Sequence, residues 1–269
     1  VRPLAIIKKR KKQKMKDLFS VKGKIVLVTG GSRGIGEMIA TGYIQNGAKV
    51  YISSRKKAVC DELAKELSKH GECISLPFDL GTMEGVDGLA KAMAAREEKL
   101  DILVNNAGAA WATPIDEFPE QGWDKVMDLN VKSIFFLTQK LLPMLRKAAS
   151  PESPARVINV SSVNGMNPPH IETYSYSASK SACIMLTRHM AWKLVKENIL
   201  INGIAPGPFP TQMLGPLIAS MGDEILESTP MHRVGTPEDI AGVALFLSSR
   251  ASNYITGVTI PCDGGIASL

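Results

Sequence analysis

The stretch Ile25-Val26-Leu27-Val28-Thr29-Gly30-Gly31-Ser32-Arg33-Gly34-Ile35-Gly36 decides the fold. Its first five residues are aliphatic or β-branched and read as a strand buried on both faces. A glycine-rich turn follows, and then the amphipathic run Met38 to Ile44, which reads as a helix. Glycines at such a turn let the backbone approach a pyrophosphate closely. The helix starting there aims unsatisfied N–H groups and its positive dipole end at the anion. A merely structural tight turn would look the same in isolation, but this one ends a first strand and opens a first helix, which favours dinucleotide binding.

Outward from that stretch, short β-branched runs alternate with longer helical patterns. Strands are expected at Ile25–Thr29, Lys49–Ser53, Cys73–Pro77, Asp101–Val104, Arg156–Val160, Leu200–Ala205 and Thr256–Pro261, with helices near 34–46, 57–70, 84–99, 117–149, 174–198 and 237–249. Strands that alternate with helices make β-α-β units and a parallel sheet covered on both faces. The expectation is one Rossmann-like, doubly wound α/β domain over residues 17–269, its seven-stranded parallel sheet lying between helices. No linker and no repeat interrupts the rhythm. Ala205 to Pro216, with four prolines and two glycines, reads as a mobile insertion beside a binding cleft, followed by a short apolar segment, Leu217 to Met221.

The 269 residues carry 32 Lys and Arg against 26 Asp and Glu, a formal net charge of +6. Chain length and composition exclude a disordered chain, a collagen-like fibre and a disulfide-stapled miniprotein. Residues 1–16 hold eight cations and no acid, so residues 17–269 sum to 6 − 8 = −2. That segment is read as a basic disordered extension, upstream of or foreign to a native start near Met15, rather than a polyanion-binding arm. The mildly acidic remainder argues against nucleic acid. No apolar run approaches the roughly 20 residues that span a bilayer, and no secretory or mitochondrial leader pattern is present. Cys60, Cys73, Cys183 and Cys262 are scattered, as are the four histidines, so neither a metal site nor a disulfide framework is expected. A cytoplasmic enzyme in a reducing compartment is the expectation.

At the end of the second strand, where a preference for NAD calls for an acid, the chain reads Ser53-Ser54-Arg55, and Arg33 lies within the glycine turn. Guanidiniums and hydroxyls suit a 2′-phosphate, so NADP(H) is the expected cofactor. Arg55 as a plain solvated helix-start residue is the alternative. Farther on, Tyr176 and Lys180 share one helix face. An ammonium beside a phenol favours the phenolate, as a general acid–base group requires. Ser161-Ser162 ends the fifth strand, Asn105-Asn106-Ala107-Gly108 ends the fourth, and Asn130 lies in the long helix that follows. Singly, Ser162 could cap a strand end and Asn130 could be a packing amide. Strand C-terminal ends are nevertheless where open α/β sheets bind ligands, which puts these groups on the edge of the glycine turn.

These motifs, with Asp79-Leu80, Asn202 to Gly207 with Thr211, and Asp263-Gly264-Gly265, resemble a short-chain dehydrogenase/reductase from residue 21 onward. The resemblance implies cofactor contacts at Gly30, Ser32, Arg33, Gly34, Ile35, Gly36, Ser54, Arg55, Asp79, Leu80, Asn106, Ala107, Gly108, Tyr176, Lys180, Pro206, Gly207 and Thr211. It implies catalysis by Asn130, Ser162, Tyr176 and Lys180. A carbonyl would bind between Ser162 and Tyr176, Tyr176 would donate the proton, Lys180 would hold the nicotinamide ribose, and Asn130 would fix a relay water.

The family usually spaces its Ser and Tyr thirteen apart, whereas Ser162 and Tyr176 are fourteen apart. Tyr174 is thirteen from Ser161 but has Ala178 four residues on, so Lys180 decides for Tyr176. The extra residue falls in the loop Asn164 to Thr173. That extension and the pattern Tyr174-x-Tyr176-x-x-Ser179-Lys180 are similar to 3-oxoacyl reductases of the rhamnolipid-synthesis type. Where carrier-dependent members place basic residues stand Phe136 and Glu197, which favours a CoA thioester or a free ketone over a carrier-bound chain. A sugar-acid dehydrogenase of the gluconate 5-dehydrogenase kind is the alternative, and a non-catalytic NADP-binding sensor or scaffold is an alternative of another class. The resemblance also implies a homotetramer built on the two long helices and the C-terminal strand.

Overall fold

A computed structural model describes residues 15–169, 171–212 and 215–267. Most of the basic extension, and Met213–Leu214 of the apolar loop, lie outside the described residues. Seven parallel strands, β1 (Ile25–Thr29), β2 (Lys49–Ser53), β3 (Cys73–Ser75), β4 (Ile102–Asn105), β5 (Ala155–Val160), β6 (Ile199–Pro206) and β7 (Thr259–Cys262), form one sheet in the order β3-β2-β1-β4-β5-β6-β7. The chain starts mid-sheet, runs to one edge, then passes back over β1 to continue from β4. A crevice is expected where that order reverses, between the C-terminal ends of β1 and β4.

Alternate residues of each strand feed two separate cores. Val26, Val28, Val50, Ile52, Ile102, Val104, Ile158 and Ile204 pack on one face against Ile39 and Tyr43 of α1 (Gly34–Gln45) and Ile240 of the last helix, Pro237–Ser248. Leu27, Tyr51, Leu103, Val157 and Ile201 pack on the other against Leu89, Leu137, Leu141 and Met190 from the opposite helices. Each fully buried aliphatic side chain contributes about 1.5–3 kcal/mol, so a strand apolar on both sides is stable only between two helix layers. Burial on both faces is why these strands read as continuous apolar runs.

The boundaries differ from expectation in instructive places. The third strand ends at Ser75, with Leu76 N–H adding one more bond to Ile52 O before Pro77, which has no N–H to continue the ladder. The last strand starts at Thr259, because Gly257 turns the chain at φ +78°. The helix expected at 117–149 is instead a short turn at Ile115–Glu117, α4 (Glu120–Met127), a π-turn at Asp128–Lys132 and α5 (Ser133–Ala148). The helix expected at 174–198 is α6 (Tyr174–Leu194) and a further short turn. Gly215–Ser228, read as an irregular end followed by a short apolar segment, is a full helix.

One buried polar chain crosses the second core. Asn105 Nδ2 donates to Thr138 Oγ1 and Asn159 Oδ1, and Asn159 Nδ2 donates to Thr187 Oγ1. Each amide is satisfied, as buried polar groups must be. The bonds tie β4 and β5 to α5 and α6, the elements that carry the site. Cys60, Cys73 and Cys183 are buried free thiols and Cys262 is half-buried. Among the described residues no His, Cys, Asp and Glu cluster could hold a metal, and no helix is long and apolar enough to cross a membrane.

Candidate active site

The crevice between β1 and β4 is a cleft of about 530 Å³. At its base Gly30 holds φ +63°, and a Cβ there would sit 2.8 Å from Asn106 Nδ2. A Cβ on Gly36 would lie 2.2 Å from Gly30 O, so only glycine lets the turn close on the first turn of α1. Arg33, the residue before α1, offers no side-chain cap to the helix N-terminus. The N–H groups of a first helical turn have no main-chain partner inside the helix, the arrangement that binds anions, and here the Glu37 carboxylate of that turn bonds the Gly34 backbone. Thr29, fully buried, accepts at Oγ1 from the N–H groups of Asn106 and Ala107 and donates to Val104 O. Asn106 Nδ2 in turn donates to Thr29 O and Gly30 O. Five hydrogen bonds thus lock the two strand ends together.

Ser53, Ser54, Arg55 and Lys56, from β2 and the residues after it, line the cleft together with Arg33. Ser54 Oγ is buried and has no hydrogen-bond partner among the described residues, a costly state for a hydroxyl unless a ligand oxygen meets it. Arg33 Nη1 donates to Gln212 Oε1 at 2.8 Å, bridging the glycine turn and the loop after β6. Thr211 of that loop also lines the cleft and packs beside Gly34. Three of the expected cofactor residues stand outside the lining. Asp79 is exposed and accepts from Gly81 N–H at Oδ1, 3.0 Å, so its carboxylate caps a turn. Gly207 packs on Asp263, and Pro206 closes β6. Leu80, Asn106, Ala107 and Gly108 line the cleft, as do Ser32, Ile35 and the glycines of the turn.

Tyr176 and Lys180 line the same cleft from α6. Lys180 Nζ lies 5.5 Å from the Tyr176 ring centroid and donates to Val160 O at 2.8 Å. Its side chain is almost wholly buried, so that one carbonyl fixes where the ammonium sits. Ser161 Oγ donates to Lys180 O, which uses its proton to pin α6. Ser162 Oγ accepts from Asn164 N–H, and among the described residues its own proton has no acceptor. Of the two, Ser161 lines the cleft, and Ser162 beside it is the one whose proton is not already donated among the described residues. Tyr174, the rival in the spacing argument, is exposed, donates to Glu172 and stacks edge-on against Phe118, 6.0 Å between centroids.

Asn130 sits in the π-turn behind the cleft wall. Its Oδ1 accepts from Ala109 N–H, and its Nδ2 donates to Ala109 O and Ser179 Oγ, all at 2.9 Å. The amide is fully engaged in holding the loop after β4 against α6, which places Gly108 beside Lys180. A π-turn interrupts the regular ladder, a feature common at functional sites. Lys56, Gln212, Phe78, Lys125 and Leu129 also line the cleft and were not anticipated. Lys56, Gln212, Phe78 and Leu129 are sequence neighbours of the expected Arg55, Thr211, Asp79 and Asn130. Lys125 is brought in by the packing of α4, which no local pattern records.

A family profile described as enoyl-(acyl carrier protein) reductase matches residues 30–267. The rhamnolipids biosynthesis 3-oxoacyl-[acyl-carrier-protein] reductase of Pseudomonas aeruginosa is 46% identical over 255 residues, covering 93% of this chain and 99% of that protein. The structure described as the Pseudomonas aeruginosa RhlG/NADP active-site complex superposes with a TM-score of 0.91 at 45% identity, covering 94% of this chain and 100% of the other. The 5-keto-D-gluconate 5-reductase of Escherichia coli is 35% identical, covering 94% of this chain and 98% of that enzyme.

Proposed function

The chain belongs to the short-chain dehydrogenase/reductase family, and from that premise we propose that it is an NADP(H)-dependent oxidoreductase interconverting a carbonyl and a secondary alcohol, with 3-oxoacyl thioesters or related ketones as substrates. The observation that carries the reading is the buried Lys180 ammonium 5.5 Å from the Tyr176 ring, in the same cleft as the glycine turn. The residues fit the cofactor. The turn tolerates no Cβ where a pyrophosphate would approach, and the unpartnered Ser54 hydroxyl and the cations Arg33, Arg55 and Lys56 suit a 2′-phosphate. A carboxylate is missing where the ribose 2′-hydroxyl of NAD would want one.

NADPH, when bound, supplies the hydride. Tyr176 donates a proton to the carbonyl oxygen, and Ser162 donates a hydrogen bond to the same atom. Both act on charge that develops only as hydride arrives. Lys180, held by Val160 O, keeps a positive charge beside the phenol and is placed to hold the ribose. Asn130 positions the cleft wall through Ala109, so a proton relay at this point would pass by its backbone rather than its occupied amide. We place the enzyme in the cytoplasm as a homotetramer. Its free thiols and the exposed Met185 and Trp192 on α6 support that reading.

NADPH oxidation with a panel of 3-oxoacyl thioesters, simple ketones and sugar acids tests the proposal. Turnover of the thioesters is expected. The relative that reduces 5-keto-D-gluconate supports a second reading, and turnover confined to sugar acids would replace the first reading with it. Tight NADPH binding without turnover on any carbonyl would make the protein a cofactor sensor.

A further inference from the structure

Two loops adjoin the elements that carry Tyr176 and the cleft wall, one running from the wall after β4 and one running from β5 to the start of α6. The first leaves the cleft wall at Ala109 and Ala110 and is anchored by Trp111, whose indole lies flat on Gly122 of α4. A Cβ on Gly122 would come within 2.8 Å of that ring. Trp111 Nε1 donates to Thr113 Oγ1 at 2.9 Å. The other end of this loop is held by a single residue of the second loop. Glu172 Oε2 accepts from Ile115 N–H at 2.9 Å and from the Tyr174 hydroxyl at 2.7 Å, and Glu172 O accepts from Thr113 N–H at 3.2 Å.

Glu172 therefore joins segments 57 positions apart. It stands just before α6, whose first residue is Tyr174 and whose N-cap, Thr173, supplies no side-chain bond. A carboxylate there also meets the positive end of the helix that carries Tyr176 and Lys180. The bond to Glu172 raises the Tyr174 phenol above its ordinary range, which keeps it a neutral donor. That explains a tyrosine two places before Tyr176 that takes no part in the chemistry.

We propose that Glu172 is a positioning residue that sets the mouth of the substrate site, by clamping the loop after β4 to the start of α6. This rests on the reading that the carbonyl sits against Tyr176. The clamp neither lines the cofactor cleft nor touches the glycine turn, so losing it spares cofactor binding. It loosens the wall that a ketone meets on its way to Tyr176. Hydrogen bonds to a charged acceptor are worth more than neutral ones, enough for a ten- to hundredfold effect when both are lost.

The test compares Glu172→Ala, Glu172→Gln and Tyr174→Phe in the full chain, reading KM and kcat for the best ketone, NADPH affinity, and amide hydrogen exchange at residues 111–117. In Glu172→Ala, KM is expected to rise about ten- to hundredfold with kcat changed far less, NADPH affinity kept, and exchange at Thr113 and Ile115 accelerated. Glu172→Gln keeps an acceptor oxygen and should recover most of the KM. Tyr174→Phe, which removes one bond and leaves the ring on Phe118, should fall between. Wild-type KM and exchange in Glu172→Ala would overturn the proposal, as would parallel losses of NADPH affinity and KM, since those mark a general structural role. If Glu172→Ala does not fold, Tyr174→Phe decides, and unchanged KM and exchange in that variant overturn it. Should the wild-type enzyme reduce no ketone, the functional reading fails instead, and the exchange measurement still tests the clamp.

Discussion

The two ends of the cleft are built differently. At the cofactor end, Thr29, Asn106 and the glycines are joined by short bonds among buried or half-buried groups, and most contacts run backbone to backbone or side chain to backbone. At the substrate end, the walls are surface loops tied by the exposed Glu172 and bordered by the exposed Ile115 and Ile171. The first arrangement tolerates almost no change of residue, because an added Cβ would clash with Asn106 or the Gly30 carbonyl and a lost Thr29 hydroxyl would leave two backbone N–H groups unpaired. The second can be redrawn by changing a few side chains on the same frame. Relatives of this chain are accordingly described as reductases of substrates as different as a 3-oxoacyl chain and a keto sugar acid.

That division can be attacked from either side. The largest effect is expected from Tyr176→Phe, which should lower turnover by about 10²- to 10⁴-fold and leave NADPH affinity, read by fluorescence titration, essentially unchanged. Loss of both would mean the two ends do not separate. Next is Thr29→Val, which takes the acceptor from two backbone N–H groups at about 1–3 kcal/mol each. Denaturant unfolding should show a loss of about 2–4 kcal/mol, with weaker NADPH binding, and wild-type stability would show that this threonine does not hold the strand ends.

Arg55→Ala should weaken NADPH by about ten- to hundredfold and leave NADH untouched. Equal losses for both cofactors would refute a role in 2′-phosphate recognition. The smallest effect is expected from Ile171→Ser, which should keep stability within about 0.5 kcal/mol while lowering kcat/KM for long-chain over short-chain 3-oxoacyl thioesters by about three- to tenfold. If the chain-length preference does not move, this lip does not contact the substrate.

Legibility follows the same division. The stretch Ile25 to Gly36 was readable because each residue's role depends on its immediate neighbours, strand then turn then helix. Tyr176 and Lys180 were readable because four positions on a helix share a face. The helix Gly215–Ser228 was missed because Gly215 and Pro216 at its start continue the Pro- and Gly-rich stretch before it and read as loop. The π-turn at Asp128–Lys132 was hidden inside a continuous helical pattern, and only the tertiary pull of Ala109 and Ser179 on Asn130 distinguishes it. Asp79, a cofactor contact by the family resemblance, stands outside the cleft lining, and its Oδ1 accepts from Gly81 N–H.

The sequence by itself determined the class of fold, the dinucleotide turn, the expected preference for a 2′-phosphate and the Tyr–Lys pair, since each is set by residue type and local spacing. Tertiary structure decided that, of two adjacent serines, Ser161 donates its proton to Lys180 O. It also decided that the Asn130 amide holds a loop and that Glu172 ties the loop after β4 to the start of α6. Those outcomes depend on which partner a hydroxyl, an amide or a carboxylate finds across the fold, and the partners come from elements 19 to 57 positions away that only packing brings within 3 Å or so.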